Sequence, residues 1–428
     1  MTKNRLLVVQ GEQEVGFPIK AMRGKIGLTG LSLVLAGALF LGGCGGGDGS
    51  SQPNTGSTGG AGGTGGTGGT GGTGGTGTTD TTSPLSPATV LAAMTPGINL
   101  GNTLEAVNAS GQPFTTSQET YWGNPVVNQA VFDAYKAAGF KSVRIPVSWT
   151  EYSDAQGNIA PFWMTRVKQV VDMARKSGLY VIINIHWDGG WIQAKPSVQT
   201  AVNAKLTNFW TQIATAFNSY DDYVLFAGTN EIGVDGEYGQ PTATECPVQN
   251  SYNQTFVDAV RATGGNNASR PLVVQAYETN IDSSVSCNAT LPTDKVAGRL
   301  IMEVHYYDPY DFTINGSSNI WQWGSIATDP TATETWANEA YTDGQFQKMK
   351  TTFVDKGVPV IMGEYGAYNK PAYPGMDTYR LYWIKYVTHS AYTHGVVPMY
   401  WDTGDFIDRT TGAQKDVNGI STLIKAAQ

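Results

Sequence analysis

The sequence predicts an α/β protein built on one (β/α)8 barrel over residues 86–428, and three observations predict it. A helix-period apolar pattern ends repeatedly at a glycine and hands over to a short apolar strand. These strands lack apolar–polar alternation, so they are expected to be buried on both faces, as in a parallel sheet. Eight such units in about 340 residues fit one barrel with long loops. A doubly wound open sheet is the alternative. It usually carries a glycine-rich phosphate loop after its first strand, and "NLGNTLE" is not one.

The first strand is read in "GINLGN" at 97–102. In "VVNQAVFDAYKAAGFKSVRIPVSW", Val127, Val131, Ala134 and Ala138 share a helix face, Gly139 stops the helix and a second strand follows. "RVKQVVDMARKSGLYVIINIHWD" repeats the pattern at Gly178 and gives the third strand. The fourth to sixth are "YVLFAGTNE" at 223–231, "PLVVQAYETN" at 271–280 and "RLIMEVHYYDP" at 299–309. "FVDKGVPVIMGEYG" and "YTHGVVPMYWDTG" complete the set, punctuated by Gly357 and Gly395.

Two segments precede the barrel. Arg23 and Lys25 stand before an apolar stretch from about Ile26 to Leu41, too short for a comfortable membrane span. The stretch stops at Leu41-Gly42-Gly43-Cys44, which resembles a bacterial lipobox, so residues 1–43 are expected to be a lipoprotein signal peptide and Cys44 the lipidated residue. An ordinary signal peptide with an incidental cysteine is the alternative, and Met22 is an alternative start to Met1. Residues 44–85 are rich in Gly and Thr, with Ser and Asp, a composition that buries no core and behaves as a flexible tether spanning about 35 Å.

Composition narrows the function. The net charge is −8, with no Lys/Arg cluster of the kind that tracks phosphates, so nucleic acid is not expected as a partner. Three cysteines, four histidines and no metal or nucleotide motif argue for no metal and no cofactor. The 11 Trp and 21 Tyr supply aromatic surface for flat ligands.

In such a barrel the active site lies at the C-terminal strand ends. Here those ends carry Asn99 and Asn102, Arg144, His186, Asn230 with Glu231, Glu278, His305 with Tyr307, Glu364 and Trp401. Each has a bland alternative: Glu364 can be a strand end reaching solvent, and Trp401 can be core. Their convergence is the signal. It suits glycoside hydrolysis, in which a carboxylic acid protonates the leaving oxygen and a second carboxylate captures an oxocarbenium-like centre. Desolvation is expected to raise Glu231, and Arg144 with the Tyr307 hydroxyl to keep Glu364 ionised. Trp401 offers a pyranose platform, and Trp187, Trp191, Trp321 and Trp323 are expected in loops on the same side.

"GINLGNTLE", "VRIPVSW", "VIINIHWD", "TNE", "EVHYYDPYDF", "IMGEYG" and "MYWD", in this order and spacing, resemble glycoside hydrolase family 5 and its cellulases over nearly all of residues 90–425. The resemblance implies a retaining endo-β-1,4-glucanase with Glu231 as acid/base and Glu364 as nucleophile. Arg144, His186, Asn230, His305, Tyr307, Trp401, Asn102 and Trp187 would bind substrate around them. Mannan and xyloglucan remain open as substrates, since loops choose among them. A carbohydrate-binding lipoprotein without turnover is the reading from another class. The run "TNEIG" departs from relatives that have proline after the acid/base, and only one histidine occupies the third-strand motif.

The expected partners are a β-glucan chain and, through Cys44, a membrane, with the protein exported and monomeric. Cys246 and Cys287, expected in adjacent loops at one barrel end, are predicted to form a disulfide in that oxidising compartment.

Overall fold

The computed structural model describes residues 84–107, 115–237 and 239–428. Residues 1–43, Cys44 and nearly all of 44–85 lie outside the described residues. Eight parallel strands close a barrel in sequence order: β1 (Gly97–Leu100), β2 (Ser142–Ile145), β3 (Tyr180–Asn184), β4 (Val224–Ala227), β5 (Leu272–Gln275), β6 (Leu300–Tyr306), β7 (Val360–Tyr365) and β8 (Val396–Asp402), with β8 back against β1. Every predicted strand is present. The helices are α1 (Pro87–Met94), α2 (Gln129–Ala138), α3 (Pro161–Lys176), α4 (Gln199–Ala216), α5 (Glu245–Ala262), α6 (Ile281–Cys287), the single turn α7 (Tyr310–Thr313), α8 (Glu339–Thr352), α9 (Met376–Thr393) and α10 (Val417–Ala426).

Local chemistry explains the boundaries. The Asn128 side chain accepts from Ala130 N at 2.9 Å and starts α2, and Gly139 ends it at φ 106°, a left-handed conformation glycine adopts without a Cβ clash. Asp416 likewise caps α10 by accepting from Gly419 N at 2.7 Å.

The core has two parts. The larger lies between strands and helices, where residues such as Val143, Ile183, Phe226 and Met362 meet Phe132, Val170, Trp210 and Trp383. The smaller lies inside the barrel, where Ile182, Leu225, Val273, Ile301, Ile361, Val397 and Met399 meet Val90 and Met94 of α1. Helix α1 therefore plugs the N-terminal end of the barrel: Lys141 and Ser142, at the start of β2, donate to the Ala92 and Met94 carbonyls at 3.0 and 2.6 Å. The opposite end is free to be polar.

Cys246 and Cys287 are joined by a disulfide, Cα atoms 5.5 Å apart. They lie in α5 and at the end of α6, not in loops, because helices fill both connections.

Candidate active site

Inside the barrel, the layer above the apolar plug is charged. Asn99 of β1 pairs in register with Arg144 of β2 and with Trp401 of β8, so the three share one level. The ladder slips between Val304 and His305 of β6 and between Met362 and Tyr365 of β7, and His305 comes to pair with Glu364. Such an irregularity re-aims side chains beside a site.

Arg144 is wholly buried and organises this layer. Its Nε lies 2.9 Å from Glu303 Oε1, its Nη1 donates to Glu364 Oε1 at 2.8 Å and to Asn99 Oδ1 at 3.1 Å, and its Nη2 donates to Asn230 Oδ1 at 2.6 Å. With no exposed surface of its own, it holds these four groups in place. Asn99 donates in turn to the carbonyls of Gly363, Met399 and Tyr400, locking β1 to β7 and β8.

Glu303 is not among the strand-end residues expected at the site, yet it stands at the centre. Its carboxylate lies 3.3 Å from His305 Nε2 and accepts from Gln275 at 2.8 Å. A Cβ on Gly363 would stand 2.0 Å from its Oε1, so the glycine before Glu364 is required by close approach. Burial pushes Glu303 up, and Arg144 and His305 overcome this and hold it below the usual carboxylate range. A signal existed, since Glu303 is two positions before His305 on the same strand face.

Glu364 is 3 % exposed and accepts from Arg144 and, at 3.1 Å, from the Tyr307 hydroxyl. Burial pushes its pKa up while His305 and Arg144 pull against the shift. The Glu231 side chain is the more open of the two, 20 % exposed against 3 % for Glu364. Glu231 takes a left-handed φ of 48°, the kind of backbone strain that collects at functional sites. Its Oε1 lies 2.8 Å from His305 Nδ1. One oxygen of each of these two carboxylates and one His305 nitrogen lie within 4.8 Å of one another. Burial opposes charge on His305, but Glu364, Glu231 and Glu303 outweigh it and push its pKa up to about 9. His186 is the opposite case: burial, with Arg144 and His305 nearby, holds it well below its ordinary value, and it is a neutral imidazole. Its ring stacks on Trp401 at 5.8 Å, and Asn184 lies 3.2 Å from its Nδ1.

These groups floor a cleft made of adjoining cavities. One of about 230 Å³ is lined by both Glu231 and Glu364 together with Asn102, His186, Trp187, Asn230 and Trp401. It continues past Asn102, Trp401 and Trp122, a tryptophan missed in the sequence, into a space of about 820 Å³. On the other side Glu231, His305 and Tyr307 border a cavity of about 80 Å³ that runs to Tyr341. Asn102 is held at φ 57° by the buried Glu105 carboxylate, which accepts from the Asn102 and Thr103 amides. Gly101 leaves room for the Trp401 ring, which a Cβ would meet at 2.9 Å. The buried Trp401 indole N–H has no hydrogen-bond partner among the described residues. Trp187 is exposed and Trp191 lines the cleft. Trp323 does not: it is 2 % exposed and packs on Tyr382 and Tyr386, because its indole N–H is used on the Ala337 carbonyl.

Residues 107–406 match the family model for cellulase (glycosyl hydrolase family 5). The chain is 41 % identical over 335 residues to endoglucanase A of Paenibacillus barcinonensis, covering 74 % of this chain and 82 % of that one. It is also 41 % identical over 348 residues to the xyloglucan-specific endo-beta-1,4-glucanase of Bacteroides ovatus, covering 78 % and 69 %. Among solved structures, the Bacteroides ovatus xyloglucanase in complex with a XXXG heptasaccharide superposes with a TM-score of 0.77 at 40 % identity, covering 82 % of this chain and 78 % of that one. The family 5 xyloglucanase from Paenibacillus pabuli gives 0.74 at 40 % identity, covering 79 % and 100 %.

Proposed function

Since the chain belongs to glycoside hydrolase family 5 and is a glycoside hydrolase, we propose that it cuts internal β-1,4 bonds of a glucan backbone with retention of configuration. Glu364 is the nucleophile and Glu231 the acid/base. The observation that carries this reading is the approach of one oxygen of each carboxylate to within 4.8 Å, close to the separation of about 5–5.5 Å in retaining enzymes and short of the larger gap that an inverting water needs.

Exposure separates the roles. Both Glu364 oxygens accept hydrogen bonds inside the cluster, whereas the Glu231 side chain is 20 % exposed and borders the cleft. Glu231 is therefore the group placed to hand a proton to the leaving oxygen as Glu364 attacks the anomeric carbon. Glu231 then takes a proton from the water that releases the glycosyl-enzyme.

A xyloglucan backbone is the second reading of the substrate. It is favoured by the 820 Å³ space beside Trp401, which has room for branches, and by the likeness to xyloglucanases. Attachment through a lipid at Cys44 also belongs to the proposal; it rests on the Leu41-Gly42-Gly43-Cys44 sequence, and undiminished fatty-acid labelling of Cys44→Ser would refute it.

Variant kinetics test the roles. Glu364→Ala should abolish turnover even of an activated aryl β-cellobioside. Glu231→Ala should give a fast burst on that substrate followed by slow turnover, accelerated by azide with a β-glycosyl azide as product. The assignment falls if Glu364→Ala is the variant that shows the burst, or if the azide product is inverted.

A further inference from the structure

Trp336 is 45 % exposed, yet it is fixed in place. Its indole N–H donates to the Glu334 carboxylate. Its ring meets Tyr341 edge to face, centroids 5.5 Å apart at 88°. The next residue, Ala337, is 1 % exposed at φ 53°, a conformation that costs a residue with a Cβ about 1–2 kcal/mol, and its carbonyl accepts from buried Trp323 Nε1 at 2.7 Å. Burying the indole would be the ordinary way to use a tryptophan. Here a strained and anchored turn presents it to solvent instead, the kind of arrangement found where a ligand docks.

Its place in the fold says which ligand. Trp336 precedes the N-cap of α8, the helix that follows β6, so it stands at the barrel's catalytic end. Tyr341, which supports its ring, lines the small cavity bordered by Glu231 and donates its hydroxyl to Asp308 at 3.1 Å. Glu364 does not line that cavity, which makes this the leaving-group side of the centre. The carboxylates beside the indole are Glu334 and Asp311, which suit hydroxyl groups and repel an anionic chain.

We propose that Trp336 is a sugar platform beyond the cavity at Glu231, taking the apolar face of a pyranose unit of a neutral glycan on the leaving-group side. The proposal rests on the glycoside hydrolase reading and deepens it: the platform acts on chains long enough to cross the cavity and is indifferent to short substrates.

Trp336→Ala and Trp336→Phe decide it, assayed on polymeric β-1,4-glucan, on xyloglucan and on an aryl β-cellobioside whose leaving group carries no sugar. Trp336→Ala should lower kcat/KM on the polymers about tenfold, mainly through KM, Trp336→Phe should recover most of it, and both should leave the aryl substrate unchanged. An equal fall on polymer and aryl substrate, or no change on either, overturns the platform. Titrating cellohexaose into Glu364→Ala with and without Trp336→Ala separates this from the catalytic assignment. Weaker binding without the indole supports the platform whatever the turnover, and equal binding overturns it.

Discussion

Arg144 Nη1 lies 2.8 Å from Glu364 Oε1, with the two side chains 0 % and 3 % exposed. A buried cation so placed orients the carboxylate and offsets its desolvation, while the same nitrogen also reaches Asn99 and the other two hold Glu303 and Asn230. A lysine presents one point charge and cannot span four partners.

We therefore expect Arg144→Lys to lower kcat/KM at least a hundredfold on every substrate, aryl glycosides included. Arg144→Met should also lower the unfolding free energy by about 3–5 kcal/mol, because it strands buried carboxylates. Urea unfolding beside aryl-glycoside kinetics measures both. An Arg144→Lys enzyme that loses activity only on polymers would mean that Arg144 acts through substrate binding instead.

His305 should give a pH signature. An unfolded histidine titrates near 6.5, whereas His305 in the folded protein holds its proton up to about 9. The native state then binds more protons across that interval, so this contribution to stability is complete below pH 6.5 and is lost as pH rises through 9. The urea midpoint should fall from pH 6 to pH 9.5, and less steeply in His305→Gln. Glu303→Gln removes one of the carboxylates that raise His305, so the alkaline limb of kcat/KM should move to lower pH. A limb unmoved in that variant would assign it to another group.

The plug at the far end should affect stability alone. Met94 is 2 % exposed against Met399, Val397 and their neighbours inside the barrel. Met94→Ala should cost about 2–5 kcal/mol of unfolding free energy. Aryl-glycoside kcat and KM should stay at wild-type values, since the cleft lies at the opposite strand ends.

The Cys246–Cys287 disulfide closes a loop with a sequence separation of 41. Chain entropy puts its contribution at about 4 kcal/mol. Cys246→Ser with Cys287→Ser should lower the melting temperature by several degrees and leave the aryl-glycoside kcat in place. Equal melting temperatures for the two proteins would show that the bond adds nothing.

Much of this molecule was legible in its sequence. Four of the strands are short apolar runs behind a helix-terminating glycine, and those signals are local, so Gly139, Gly178, Gly357 and Gly395 mark barrel units without reference to the rest of the chain. The polar strand ends were legible for the same reason, and Glu231, Glu364, His305, Tyr307 and Trp401 all border the cleft. Glu303 was not, because a single glutamate inside "LIMEVHY" looks like one odd residue in a buried strand until Arg144 stands beside it.

What only the tertiary structure decided is which charge answers which. Arg144 and Glu364 are 220 positions apart, and barrel closure alone makes them neighbours. That closure exposes Glu231, buries Arg144 and Glu364, and places Trp323 in the core while Trp336 stands in solvent. Periodicity is a property of adjacent residues and can be read along the chain. Burial and the pairing of charges belong to the closed barrel, because desolvation and Coulomb energy depend on distances that exist only once β8 meets β1.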